Sequence, residues 1–460
     1  MRVLFATAEF APLVRVGGLA AATAGLVAEL RRQGTEVDVV LPDYFDTPLA
    51  GQTVLPLDVP EWAQPAAART GTLAGAGQIT LITCAGIRRS HPYVQPSGVG
   101  WADNDRRFMS FSAGVAALTV VRAPDVLHLN DWHTAATLGH LAAPPPTVLT
   151  VHTLGYQGQC HHGWLQALPY RAEAYDEWGD CNPLAGAIRL ADLVVAVSPH
   201  YAAEITTPQY GFGLDHLLRD RGPRLVGILN GIDDREWDPA VDPHLDANYS
   251  ASDLSGKVAN RAAVLARCGL PPASGPLVAM VTRLVDQKGV DLAAACAPFL
   301  QRMHASMVIL GDGDDAVAEL CAAAAARHPG EVAFVRGYDN ALAHLLFAGA
   351  DVLVMPSRFE PCGLAQMQAM RYGTLPLVTD VGGLHDTVVD VDDFPAQGTG
   401  VVAPRSEPLD VLDGLHRMCR SWGQVRRRAA MQRRGMTTDW SWRAPAAEHV
   451  QWYGRLQTGV

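Results

Sequence analysis

Along the chain, short runs of apolar, β-branched residues alternate with longer stretches whose apolar positions recur every three or four residues. Residues 2–7 form the first run, Gly17 and Gly18 follow a loop, and residues 19–33 read as an amphipathic helix closed by Gly34. The pattern predicts the next strand over 36–41, ending at Pro42, and further strands over 126–129, 147–151 and 193–198. Strands separated by helix-like segments in this way predict an α/β fold, a parallel sheet with helices on both faces. A second series follows the polar stretch 238–255, with strands predicted over 277–282, 306–310, 332–335, 352–355 and 375–378.

Two doubly wound, Rossmann-like domains account for this pattern. The first spans 1–235 and the second 275–438, with a linker region over 236–274 where Pro239, Pro243, Pro271 and Pro272 cluster around a helical piece. The tail 439–460 reads as an aromatic helix long enough to cross back onto the first domain. Open parallel sheets bind ligands at the carboxyl ends of their strands, so the two domains are expected to face one another across an interdomain cleft.

Composition removes several classes of function. The 460 residues are 48% hydrophobic and 18% charged, which excludes disorder and fibrous repeats. The formal charge of −11 speaks against a nucleic-acid partner, whose backbone would demand the opposite sign. Only two of the 36 cations are lysines, Lys257 and Lys288, so a surviving lysine is informative. Eight cysteines are scattered without a C-x-x-C pair or zinc-type spacing, as expected of reduced thiols. Glu9 interrupts the first apolar run before it reaches signal-peptide length, and no stretch of 18 apolar residues follows. A cytoplasmic location without membrane contact is expected.

Candidate chemistry falls in strand-end loops. Arg15-Val-Gly-Gly-Leu19 lies between the first strand and the first helix, where glycines admit a ligand and helix N–H groups attract an anion, although such a turn can also be merely tight. His128-Leu-Asn-Asp-Trp-His133 and Thr150-Val-His-Thr153 end two strands with groups that can hydrogen-bond hydroxyls or form a buried polar network. Arg283-Leu-Val-Asp-Gln-Lys-Gly289 places two cations and a glycine at a strand end, as a diphosphate site requires. Pro356-Ser-Arg-Phe-Glu-Pro-Cys-Gly-Leu364 puts Glu360 before a helix start, where its carboxylate can accept from hydroxyls. Cys362 has no base paired with it in sequence and reads as a packing residue rather than a nucleophile.

These motifs, together with Ala-Glu-Phe-Ala-Pro near the N-terminus, Val-Ser-Pro-His-Tyr-Ala-Ala-Glu-Ile and Gly-Ile-Leu-Asn-Gly-Ile-Asp, occur in the order found in the bacterial glycogen synthase and starch synthase family, which the chain resembles over nearly its whole length. The resemblance implies a retaining GT-B glycosyltransferase that takes a sugar from a nucleoside diphosphate, with no cofactor and no metal ion. It implies that Arg283 and Lys288 hold the donor diphosphate and that Glu360 binds the donor sugar hydroxyls, with the backbone at Cys362, Gly363 and Leu364 beside it. Gly17 and Gly18 would approach the phosphates, Arg15 would join the substrate-binding residues, His152 would line the anomeric centre, and Glu9 and Asp131 would shape the donor or acceptor pocket. No residue takes an obvious nucleophile role, as in front-face substitution assisted by the leaving phosphate.

The chain departs from the family pattern at three polar positions. Ala21 replaces an aspartate, Thr153 an asparagine and Ala185 a lysine. Sites that hydrogen-bond hydroxyls are costly to leave partly unpaired, so these losses predict a specialised member: a pseudo-glycosyltransferase of an aminocyclitol pathway, joining a nucleotide-activated cyclitol to an amino-sugar acceptor. The alternative is an ordinary α-1,4-glucan synthase using ADP-glucose or UDP-glucose. The nucleotide base and the oligomeric state are left open.

Overall fold

The computed structural model describes residues 1–272 and 274–459. Residue 273, inside the predicted linker, and residue 460, the last of the predicted tail, lie outside the described residues. The chain divides into two units, Met1–Gly231 with the stretch from Trp442 onward, and Ile232–Ser441.

The first unit is built on strands β1 (Arg2–Ala6), β2 (Glu36–Pro42), β3 (Ala50–Pro56), β4 (Ala67–Leu73), β5 (Gly77–Thr83), β6 (Val126–Asn130) and β7 (Thr147–Val151). A two-residue hairpin follows, β8 (Asp176–Glu177) and β9 (Asp180–Cys181), then β10 (Leu193–Ala196) and β11 (Leu225–Gly227). Their order is β11-β10-β7-β6-β1-β2-β5-β4-β3, parallel throughout except at the β5-β4-β3 edge. Val3 and Phe5 enter a core completed by the helix Gly18–Arg32 and the C-terminal helix Arg443–Thr458.

In the second unit, β12 (Leu277–Leu284), β13 (Ser306–Gly313), β14 (Val332–Arg336), β15 (Val352–Met355), β16 (Leu375–Thr379) and β17 (Val401–Ala403) form a wholly parallel sheet in the order β14-β13-β12-β15-β16-β17. The two-residue period of a strand sends Val278 and Met280 into one core and Leu277 and Ala279 into another, so both faces are covered. That double burial is why the strand reads as an unbroken apolar run.

Residues 236–274, predicted as a linker, belong to the second unit. The helix Gly256–Arg267 packs so closely on the helix Asn340–Gly349 that a Cβ on Gly349 would lie 2.6 Å from the Asn260 carbonyl oxygen. Lys257 on this helix is buried, and its ammonium donates to the carbonyls of Ala348 (2.7 Å) and Tyr372 (3.1 Å) and to the Thr374 hydroxyl (3.0 Å). Pro243, Pro271 and Pro272 are exposed, but the helix between them is packed onto the second unit, so the segment is not a free connection.

In each sheet the chain reverses its direction of winding beside one central strand. In the first sheet β1 lies between β2 and β6, and in the second β12 lies between β13 and β15. Loops that leave such a switch point on opposite faces open a crevice at the carboxyl edge. The loops after β1 and β6, and those after β12 and β15, carry most of the candidate residues.

Candidate active site

In the first unit, Glu9 lies just beyond β1 and is 4% exposed. One carboxylate oxygen accepts the N–H groups of Val16 and Gly17, both at 2.9 Å, and the other accepts the Tyr93 hydroxyl at 2.9 Å. Glu9 therefore holds the glycine loop from within. Beyond it, the helix Gly18–Arg32 starts without a side-chain cap or an acidic residue in its first turn, and Arg15, Gly17 and Gly18 are exposed. A Cβ on Gly17 would meet nothing within 4 Å, so the backbone is open to a ligand at this point.

Asp131 ends β6 with φ 54° and ψ −174°, a left-handed conformation rarely adopted by any residue but glycine. Its carboxylate accepts the backbone N–H of His152 at 2.7 Å, which ties the end of β6 to the end of β7. Burial pushes the Asp131 carboxyl up to about 7, against the lowering effect of that hydrogen bond.

The tautomer of His152 follows from its neighbour. Asn130 Nδ2 donates to the Ala6 carbonyl at 2.9 Å, which leaves Asn130 Oδ1 as an acceptor 3.0 Å from His152 Nε2. His152 Nε2 carries the proton. Burial lowers this imidazole to about 3, so the ring is neutral and Nδ1 keeps a lone pair. Behind it, His128 bridges the Thr150 hydroxyl (2.7 Å) and the Tyr453 hydroxyl (2.6 Å) of the C-terminal helix.

In the second unit, the loops after β12 and β15 are joined at several points. Lys288 Nζ lies 2.5 Å from Glu360 Oε2, and the Ser357 hydroxyl donates to the same oxygen at 3.1 Å. Arg358 grips both oxygens of Asp291 (3.0 and 2.8 Å) and donates its backbone N–H to the Gln287 carbonyl (2.8 Å). Gly289 makes the approach possible: its φ is 61°, and a Cβ there would sit 2.1 Å from the Pro356 carbonyl oxygen. Arg283 is exposed at the end of β12, and its guanidinium makes no hydrogen bond or ion pair with the described residues.

Glu360 is 5% exposed and Cys362 is likewise buried, with Gly363 and Leu364 leading into the helix Ala365–Arg371. Gln366 holds this turn by donating to the carbonyls of Cys362 and Gly363, both at 3.0 Å. Sequence reasoning singled out neither Gln366 nor Arg358, Asp291, Asn130 and Tyr93 as contributors. Asn130 and Arg358 lay inside the motifs already noted, but their partners are distant in sequence. Among the described residues, no group of three or more His, Cys, Asp or Glu side chains is placed to hold a metal ion. No described helix is long and apolar enough to cross a membrane.

Comparison with known proteins identifies the fold and the family. Residues 2–220 match the starch synthase catalytic domain family, and residues 269–436 match the glycosyl transferases group 1 family. The catalytic domain of starch synthase IV from Arabidopsis thaliana, solved bound to ADP and acarbose, superposes with a TM-score of 0.87 at 30% identity over 99% of each chain. A sucrose-phosphate synthase from Thermosynechococcus elongatus shares the fold, with a TM-score of 0.66 at 18% identity over 100% of each chain. The protein is thus a glycosyltransferase with the GT-B fold. Glycogen synthases of Halorhodospira halophila and Thioalkalivibrio sulfidiphilus are each 40% identical to it, covering 99% of this chain and 99% and 100% of their own lengths. The chain belongs to the glycogen synthase and starch synthase family.

Proposed function

We propose that the protein is a cytoplasmic α-1,4-glucan synthase, which transfers glucose with retention from a nucleoside diphosphate to the end of a glucan chain, without a metal ion. The observation that carries this reading is the 40% identity to glycogen synthases over essentially the whole chain, with Arg283, Lys288 and Glu360 all in place at a switch point. Arg283 and Lys288 offset the charge of the departing diphosphate, and Glu360 accepts from the sugar hydroxyls. Positioning and electrostatics lower the barrier, and the leaving phosphate takes the acceptor proton.

The departures at Ala21, Thr153 and Ala185 favour, on sequence grounds alone, the specialised cyclitol reading. Their surroundings support the ordinary one. Ala21 lies on an exposed face of its helix, and Ala185 is wholly buried in the helix Pro183–Leu190. The Thr153 hydroxyl accepts the Gly155 N–H at 3.2 Å, so it serves its own loop.

The test is a donor and acceptor panel. Incorporation of glucose from ADP-glucose or UDP-glucose into glycogen, with α-configured product by NMR, is expected. Turnover only with a nucleotide-activated cyclitol and an amino sugar would overturn this reading.

A further inference from the structure

The C-terminal helix Arg443–Thr458 turns one stripe toward the core of the first unit, with Ala446, His449 and Tyr453 buried and Trp442 just ahead. Spacings of three and four residues place them on a single face. Gly25 makes room for the indole, since a Cβ there would lie 2.1 Å from Trp442 Nε1. His449 is the one imidazole in this stripe, and it is 4% exposed.

The protonation of His449 follows from its neighbour. Nδ1 lies 2.9 Å from the Pro445 carbonyl oxygen, which can only accept, so Nδ1 carries the proton. Burial lowers the imidazole to about 4, which leaves the ring neutral and Nε2 a bare acceptor. Nε2 is buried and has no protein hydrogen-bond partner. His449 lines a small cavity together with Asn130, Thr150, His152 and Asn230. The cavity has room for about one water molecule. The side-chain amide of Asn230, the fourth residue of the Gly-Ile-Leu-Asn segment, makes no hydrogen bond to the described residues.

We propose that this cavity holds one bound water, which donates to His449 Nε2 and accepts from the Asn230 amide, and that through it the C-terminal helix positions His152. The cavity is walled in part by Phe5, Leu26 and Trp442, but a buried acceptor and an unpaired amide on the same small cavity are what an internal water satisfies. The water joins the C-terminal helix to the segment after β11 and lies beside the Asn130–His152 hydrogen bond, so the last helix of the chain sets the orientation of an imidazole about three hundred residues earlier. His449 is a positioning residue, because it acts on His152 and touches no substrate. The effect on transfer rests on the function proposed above, but the water site does not.

The experiment uses the full chain and H449F, which keeps the ring volume and removes the acceptor, with H449Q as the conservative control. A high-resolution crystal structure of the wild type is expected to show a single water between His449 and Asn230, and H449F to exclude it. H449F is expected to keep its melting temperature and the KM for the donor while kcat falls about tenfold, as misplacement of a positioned group does. H449Q recovers most of that loss. Long-range imidazole 1H–15N spectra should show His152 locked as the Nε2–H tautomer in the wild type and mixed in H449F. A dry cavity in the wild type, or an unchanged kcat and His152 spectrum in H449F, would overturn the proposal. If the wild type makes no glucan, the functional reading fails, whereas the crystal and NMR results still decide the water and the tautomer.

Discussion

The ammonium of Lys288 and the carboxylate of Glu360 meet at 2.5 Å across 72 residues of sequence. Sequence reasoning gave them separate tasks, one on the diphosphate and one on the sugar. The geometry makes them a single unit, in which each fixes the other and a ligand entering at either has to engage the pair.

Removing the lysine therefore does more than delete a phosphate contact. Lys288→Ala leaves a carboxylate whose side chain is 6% exposed with, among the described residues, only the Ser357 hydroxyl for support. Breaking a buried pair from one side costs about 3 kcal/mol, so urea unfolding should shift measurably while nucleoside diphosphate titration shows weakened binding. The double variant K288A/E360A should regain part of the stability but not the binding. Lys288→Arg should also be impaired, because a guanidinium fork does not fit where a compact ammonium sits.

Glu360→Gln has the opposite signature. The amide keeps the Ser357 hydrogen bond but releases the Lys288 ammonium, so affinity for free nucleoside diphosphate should hold or improve. Hydrogen bonds from sugar hydroxyls to a charged acceptor are lost, and kcat/KM for the sugar donor should fall roughly ten- to a hundredfold. Equal losses for the free nucleotide and the sugar donor would assign Glu360 to holding the loop alone.

Asp131 combines backbone strain with a side-chain contact, and substitutions separate the two. With φ at 54° and ψ at −174°, the residue bears a conformational cost of about 1–3 kcal/mol that glycine escapes. Asp131→Gly should unfold at higher urea than Asp131→Ala. Both should lose turnover, since neither offers an acceptor to the His152 N–H.

Acid should destabilise the first unit in a defined window. Burial lowers His133 and His152 to about 3, His140 and His449 to about 4, and His128 well below its ordinary 6.5. Between pH 6.5 and about 4 the unfolded imidazoles bind protons that the folded ones refuse, so stability is full above 6.5 and falls as the pH drops. The slope is about 1.4 kcal/mol per pH unit for each imidazole. Asp131, raised to about 7 by burial, works the other way: the folded carboxyl keeps its proton while the unfolded one ionises above its ordinary 3.8, so this term gains stability as the pH falls from 7 toward 4. One carboxyl opposes these five imidazoles and His91, which burial also lowers, and the net slope is a loss toward acid. Urea midpoints at pH 7, 6 and 5 measure it, and H449F should flatten the slope by roughly one imidazole.

The parallel strands were legible because they are covered on both sides. Residues 147–151 and 352–355 read as apolar runs and form β7 and β15 over those same residues, all of them buried. β3 was not legible, since every one of its residues is exposed and no apolar period marks it, and β17 is only three residues long. The clustered prolines over 236–274 suggested a linker because local sequence does not show that Tyr249 donates to the Tyr372 carbonyl 123 residues later. In the candidate site, residue types were readable and their pairings were not. The roles of Arg358 and Asp291, and of Asn130 in setting the His152 tautomer, depend on contacts that only the folded sheets bring together.

The scarcity of lysine leaves the chain with very few targets for amine chemistry. The Lys257 ammonium is enclosed by two carbonyls and a hydroxyl, out of reach of an acylating reagent, whereas the Lys288 side chain remains 16% exposed. Lys288 is thus the one partly exposed lysine, and because its ammonium is held by Glu360, succinimidyl esters reach it in the native protein only as that pair opens. Its labelling rate, read by intact mass spectrometry, would follow the state of one loop without an introduced reporter, and a bound nucleoside diphosphate should slow it.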